Sequence, residues 1–287
     1  MTQRDPYNLF ARVYDAWQAG FTKPFSEAIL PFYEREILRH GVPDRSLADI
    51  ACGTGTFLHA WDRRQPGWRL VGTDGSLAMI REARAKGVSA RLIHATIEET
   101  RLPFPVGAAV SVFDSVNHVT RVADLRRGFR AIARSLFPGG LFLFDLNDDR
   151  AFTRLFSGHW TVESEGLFVS VTATSGGAFG ASRFTIFSLE RGGKNGRRAG
   201  FWRRSEFTIR ERNWHRDEIL AAIRGASLVL LSIRKLRPYP ADEVDSPRTL
   251  WICRRPHRAP GVVSSTSVTS SVPITRRPQA DSAGGSP

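Results

Sequence analysis

Short runs of consecutive apolar residues recur along the chain: Leu47–Cys52 (LADIAC), Arg69–Asp74 (RLVGTD), Ala90–Ala95 (ARLIHA), Ala108–Asp114 (AAVSVFD) and Gly140–Asn147 (GLFLFDLN). Continuous rather than alternating apolarity predicts strands covered on both faces, as in a parallel sheet. Helical spacing separates the runs. Ser76–Lys86 places Leu77, Met79, Ile80 and Ala83 on one side behind a serine N-cap, with Gly87 as a stop. Asp124–Phe137 does the same with Leu125, Phe129, Ile132 and Leu136, and Pro138-Gly139-Gly140 reads as its end. This rhythm predicts an α/β, doubly wound sheet.

The rhythm breaks between about Trp160 and Asn213, a stretch rich in Thr, Ser, Val and Phe with a turn signal at residues 192–196 (GGKNG). Three or four antiparallel strands are expected there. Helical spacing returns at His215–Arg224, and two strands follow at Leu228–Leu236 and Thr249–Cys253. The first residues read as helices, with Phe25, Ile29, Phe32, Tyr33 and Ile37 on one side. The expected organisation is a helical cap over 1–45, a core over 46–148, an antiparallel insertion over 149–213 and closing elements over 214–255. A disordered tail is expected over 256–287, where Ser, Thr, Pro and Gly leave too little apolar surface to offset ordering.

Composition changes this picture little. Of 287 residues, 41% are hydrophobic, enough for a sizeable core, and no apolar run is long enough for a membrane helix. The N-terminus lacks a secretory pattern, and Cys52 and Cys253 read as buried thiols, so a cytoplasmic protein is expected. Net charge is +13. Five arginines lie from Arg254 onward, and nine basic residues (Arg183, Arg191, Lys194, Arg197, Arg198, Arg203, Arg204, Arg210, Arg212) fall within the insertion. The solvated face of a twisted sheet is the favoured reading of such a surface, and an acidic acceptor or RNA is the alternative.

Candidate chemistry centres on Asp49-Ile50-Ala51-Cys52-Gly53-Thr54-Gly55-Thr56. A strand gives way to a helix across two glycines, which lets backbone approach a ligand at the helix N-terminus. Asp74 ends the next strand, where a carboxylate can accept both ribose hydroxyls of an adenosine-containing ligand. The dinucleotide fingerprint fails, because Leu58 stands at its third glycine, and no phosphate P-loop is present.

These residues, with Gly72-Thr73-Asp74-Gly75-Ser76, Phe113-Asp114-Ser115-Val116-Asn117-His118 and Pro138-Gly139-Gly140, resemble the class I S-adenosylmethionine-dependent methyltransferases. Tyr7–Asp15 (YNLFARVYD) is similar to the opening of that superfamily's small-molecule branch. The resemblance implies a Rossmann-like seven-stranded sheet whose last strand runs antiparallel between its neighbours, and S-adenosyl-L-methionine as cofactor. It implies that Asp49, Ala51, Gly53 and Gly55 border the methionine part and Asp74 binds ribose. Met79 would lie near adenine, Phe113 and Asp114 would floor the transfer site, and Tyr7 and Tyr14 would close the pocket. Two departures stand out. Thr96 occupies the loop where the family commonly carries an acid for the adenine amino group, with Glu98 and Glu99 as nearby substitutes, and Ala108 replaces an acid opening the fourth strand.

Methyl transfer needs an acceptor held in line and, for an amine or hydroxyl, a proton acceptor. The candidate bases are His118 and His215, the latter also placed to cap a helix. The histidines and cysteines show no metal-ligand spacing. The leading expectation is a methyltransferase acting on nitrogen or oxygen of a small molecule. An RNA methyltransferase and a non-catalytic binding module are the alternatives.

Overall fold

The apolar runs become strands. In the computed structural model, which describes residues 6–19, 25–154, 156–192, 198–237 and 247–257, β1 (Ser46–Ile50), β2 (Arg69–Asp74), β3 (Arg91–His94), β4 (Val106–Ser111) and β5 (Leu136–Asn147) run parallel to one another. Next come β6 (Gly158–Ser164), β7 (Leu167–Gly176), β8 (Phe179–Gly192) and β9 (Arg198–Arg212), then β10 (Val229–Lys235) and β11 (Arg248–Arg254). The main sheet has the order β10-β11-β5-β4-β1-β2-β3, with β11 antiparallel to both of its neighbours, as expected. Strand order reverses between β4 and β1, the switch point where open α/β sheets leave a crevice beyond the strand ends.

Every residue of β1 and β4 is buried, as strands covered on both faces require, including the polar Ser46, Asp49 and Ser111. On one face α2 (Phe25–His40), α3 (Thr56–Arg64) and α4 (Leu77–Ala85) bury Ile29, Tyr33, Ile37, Phe57, Trp61 and Ile80. On the other, α5 (Val122–Ser135) and α7 (Arg216–Gly225) bury Leu125, Phe129, Ile132, Ile219 and Ile223. Each such side chain contributes roughly 1.5–3 kcal/mol.

The insertion forms a separate antiparallel sheet in the order β6-β7-β8-β9. Its inward positions, among them Val169, Val171, Phe184, Ile186 and Ile209, pack on Phe10 and Trp17 of α1 (Tyr7–Ala19). The N-terminal helices therefore divide: α2 belongs to the main sheet and α1 to the inserted one. A short helix, α6 (Asp149–Arg154), links β5 to the insertion.

One local expectation is corrected. Pro138-Gly139-Gly140 does not separate helix from strand, because α5 ends at Ser135 and β5 begins at Leu136. Val106 pairs with Leu136 and Ala108 with Leu141, so the three residues lie in a bulge, which Gly139 turns at φ 83°. Cys52 and Cys253 are both buried free thiols. Among the described residues no helix is long and apolar enough to cross a membrane. The 192–196 turn, apart from Gly192, and the tail beyond His257 lie outside the described residues.

Candidate active site

Backbone geometry sets the first half of the site. After β1, Ala51, Gly53 and Gly55 all take positive φ (63°, 55° and 73°), folding the chain into the turn that starts α3. Asp74, at the end of β2, braces that turn: its Oδ2 accepts the Gly53 N–H at 2.8 Å and its Oδ1 the Ser76 N–H at 2.8 Å. Each carboxylate oxygen keeps further lone-pair capacity for a ligand.

The two glycines do different work. A Cβ on Gly55 would stand 2.9 Å from Val88 Cγ2 and 3.3 Å from Ala83 Cβ, so Gly55 is a packing glycine and does not line the cavity described below. A Cβ on Gly53 would meet nothing within 4 Å, and Gly53 does line the cavity. Asp49 lies behind the turn, fully buried, with both carboxylate oxygens lacking a partner among the described residues. Burial, with the charge of Asp74 added, pushes its carboxyl well above the usual range. Met79 and Thr96 line the same cavity. Thr96 Oγ1 donates to Glu99 Oε2 at 3.0 Å, while Glu98 rather than Glu99 faces the cavity.

The second half is built on charge. Phe113 and Asp114 turn at positive φ (58° and 48°) just beyond β4, a strained conformation for side-chain-bearing residues. Asp145 of β5 holds them, accepting the Phe113 N–H at 2.8 Å and the Asp114 N–H at 2.9 Å. Tyr33 also donates to Asp145, at 2.8 Å. The buried Arg248 of β11 donates Nη1 to both Asp145 and Asp114 and lies over the Phe113 ring at 5.5 Å. Burial opposes ionisation of Asp114, but Arg248, helped by His118, overrides it and holds the carboxyl below its ordinary value.

Side-chain atoms of Asp114, His118 and Glu211 lie within 4.8 Å of one another. Asn147 Nδ2 donates to Asp114 Oδ2 at 2.7 Å and to Glu211 Oε2 at 3.4 Å. Burial, then the Asp114 charge, raises the Glu211 carboxyl well above its usual range. Burial lowers His118, and Asp114 partly offsets the shift. The Tyr7 hydroxyl lies 3.4 Å from His118 Nε2, and Gln18 donates to the Tyr14 hydroxyl at 3.0 Å. Asn117 ties this turn to the inserted sheet, donating to the Arg212 carbonyl at 2.9 Å and accepting the Asn147 N–H at 3.0 Å.

Both halves open into one cavity of about 1260 Å³, walled by Phe10, Tyr14 and Trp17 of α1 and by Trp160, Phe184 and Glu211 of the inserted sheet. Asp15 latches α1 down, bonding Lys86 Nζ at 2.7 Å and accepting from Thr54 Oγ1 at 2.6 Å. Of the expected site residues, Tyr7, Tyr14, Ala51, Gly53, Asp74, Met79, Thr96, Phe113, Asp114 and His118 line this space, whereas Asp49 and Gly55 support it from behind. His215 stands elsewhere: it is exposed and N-caps α7 in a capping box with Glu218. Among the basic residues of the insertion, Arg203 pairs with Glu190, Arg204 with Glu206 and Arg212 with Glu218. None of the described ones lines the cavity.

Residues 47–140, which carry the glycine turn, Asp74 and the Phe113–His118 turn, match the family described as methyltransferase domain. The fold around them is similar to that of solved methyltransferases. A SAM-bound amino pentose methyltransferase from Micromonospora echinaspora, involved in calicheamicin biosynthesis, superposes with a TM-score of 0.67 at 22% identity, covering 85% of this chain and 96% of that one. The chain has the fold of these methyltransferases, and its residues 47–140 carry the match to a methyltransferase domain.

Two relatives of this methyltransferase domain carry specific names. The dTDP-3-amino-3,4,6-trideoxy-alpha-D-glucopyranose N,N-dimethyltransferase of Streptomyces venezuelae is 29% identical over 136 residues, 47% of this chain and 56% of that protein. The dTDP-3-amino-3,6-dideoxy-alpha-D-glucopyranose N,N-dimethyltransferase of Streptomyces fradiae is 26% identical over 199 residues, 68% of this chain and 75% of that protein. The chain thus matches just over half the length of the first relative.

Arg248, Asp145, Asn147 and Glu211 were not among the residues expected from sequence. One signal was available for Glu211: an acid at an inward position of a strand whose other inward positions include Phe207 and Ile209.

Proposed function

We propose that the chain transfers a methyl group from S-adenosylmethionine to a nitrogen or oxygen of a small-molecule acceptor, with nitrogen favoured. The observation that carries this reading is the single cavity that joins Gly53 and Asp74 to the Phe113–His118 turn. Its volume exceeds the 300–1,000 Å³ typical of a one-ligand pocket, room for a cofactor and an acceptor together.

The residues fit the cofactor. Gly53 leaves open space, and the Asp74 carboxylate, fixed by two backbone N–H groups, is set to accept ribose hydroxyls. Met79 would flank the adenine, with Thr96 and Glu98 near its amino group. When bound, the cofactor supplies an electrophilic methyl on a sulfonium. The protein's part is to hold the acceptor in line and to manage its proton. His118, kept neutral by burial, takes the proton, and the Tyr7 hydroxyl, 3.4 Å from Nε2, orients the ring. Asp114, ionised beside Arg248, stabilises the imidazolium that results.

The preference for nitrogen and for a nucleotide-linked amino sugar comes from the names of the two Streptomyces relatives. The test is incubation with methyl-labelled S-adenosylmethionine and dTDP-3-amino-3,4,6-trideoxyglucose or its 3-hydroxy counterpart. Label transferred to the amino sugar, and lost with Asp74→Ala, supports the reading. Label on neither, with the cofactor bound, removes this acceptor class.

A further inference from the structure

Glu211 is a buried acid delivered to the transfer site by the inserted sheet, and the reading above gives it no task. It lies on β9 and faces the cavity beside Asp114 and His118, with the polar atoms of all three within 4.8 Å. Its position is fixed rather than incidental. Asn147 Nδ2 bridges it to Asp114, and the next residue, Arg212, exchanges backbone and side-chain hydrogen bonds with Asn117.

The charges around it do not cancel. Arg248 is committed to Asp114 and Asp145, two acids against one base, and Glu211 is a third acid in the same cluster. The remaining groups facing it are Tyr7 and Tyr14 of α1, both held neutral by burial, and His118, which burial also disfavours as a cation. Glu211 meets this imbalance by keeping a proton, shared with Asp114 through their side-chain hydrogen bond. A cation brought to this point can take that proton's place.

We infer that Glu211 selects the acceptor, making the site prefer a protonated amine over a hydroxyl. The inference rests on the methyl-transfer reading and names the residue that decides its acceptor class. An arriving ammonium docks on Asp114 and Glu211, and the proton they shared leaves to solvent, so the net charge of the site is unchanged. One ammonium proton then passes to the neutral His118 imidazole. The freed nitrogen lone pair forms the new N–C bond as the methyl–sulfur bond breaks, its electron pair returning to sulfur to leave a neutral thioether. A hydroxyl brings no charge to replace the shared proton, so it meets an occupied hydrogen bond.

The test is calorimetric titration of the full chain, saturated with S-adenosylhomocysteine, with dTDP-3-amino-3,4,6-trideoxyglucose and with its 3-hydroxy counterpart. A charge-assisted hydrogen bond in a buried site corresponds to roughly tenfold to hundredfold in affinity. The native chain is expected to bind the amine tighter by that factor, and Glu211→Gln, which keeps the size and the Asn147 contact, to reduce the ratio to within about threefold of unity. A merely structural role would weaken both ligands equally and leave the ratio standing. S-adenosylhomocysteine affinity, measured first on each variant, shows that the chain is folded and its cofactor site intact. Absence of that binding in the native chain defeats the methyl-transfer reading itself. With it present, an unchanged ratio in Glu211→Gln, equal binding of the two nucleotides by the native chain, or binding of neither overturns the role given to Glu211.

Discussion

Substituting alanine at Gly53 and at Gly55 separates the two jobs of the glycine turn. Both positions hold positive φ, where an alanine costs about 1–2 kcal/mol. At Gly55 the added Cβ also meets Val88 Cγ2 at 2.9 Å and Ala83 Cβ at 3.3 Å. Val88 is buried and β-branched, with little freedom to turn aside. Overpacking of this kind adds about 1–3 kcal/mol, for a total of about 2–5 kcal/mol. At roughly 2–4 °C per kcal/mol for a chain of this size, Gly55→Ala should lower the melting temperature by about 4–20 °C. Gly53→Ala meets no neighbour and keeps the N–H that Asp74 accepts, so it should lose only about 2–8 °C. Its methyl instead enters the space assigned to the cofactor, and S-adenosylhomocysteine should bind at least about tenfold more weakly, a loss of about 1.4 kcal/mol. Differential scanning fluorimetry and calorimetric titration read the two effects separately. Native-like binding by Gly53→Ala would refute the placement of the ligand over this turn.

Other consequences follow from the buried charges. Arg248→Met leaves Asp114 and Asp145 uncompensated and should destabilise the fold by about 3–5 kcal/mol in chemical denaturation; a change under about 1 kcal/mol would contradict the network. His118→Gln should cut kcat by about 10²–10⁴ while leaving S-adenosylhomocysteine affinity near native. Because burial lowers the His118 pKa, the native kcat/KM should stay flat down to about pH 6.5 and fall only at lower pH. The unfolded histidine protonates more readily than the folded one, so its contribution to stability is present above about pH 6.5 and fades as pH drops through that value. Asp49 carries the opposite sign: an acid whose folded pKa is raised weakens the fold as pH climbs above the unfolded value of about 3.9. Asp49→Asn should therefore raise the melting temperature at pH 7 and do so less at pH 4; equal shifts at both would show that Asp49 titrates normally.

The parts of this protein that were legible in its sequence are those specified by neighbours in the chain. Unbroken apolarity marked the buried strands, and two glycines followed by Asp74 marked the crevice, because strand, turn and helix there are consecutive. Pro138-Gly139-Gly140 misled because a bulge satisfies the same residues as a turn. His215 carries the signals of an N-cap, followed as it is by Arg-Asp-Glu, and the structure places it in that geometry. Of the charged floor only Asp114 was legible, through the resemblance carried by the Phe113–His118 turn. Asp114, Asp145, Glu211 and Arg248 come from four separate segments, and only the sheet order β11-β5-β4 with the docking of β9 brings them together. Nor does the sequence show that α1 packs on the inserted sheet, since an apolar helix face does not name its partner.

The central claim is that the cavity between Asp74 and the Phe113–His118 turn holds S-adenosylmethionine. Calorimetric titration of the native chain and of Asp74→Ala with S-adenosylhomocysteine tests it most directly. The native chain should bind one equivalent. Asp74→Ala, which loses the ribose acceptors together with the brace on Gly53 and Ser76, should bind at least about tenfold more weakly. Absence of heat at millimolar ligand in the native chain, or equal affinity in the two, would contradict the account.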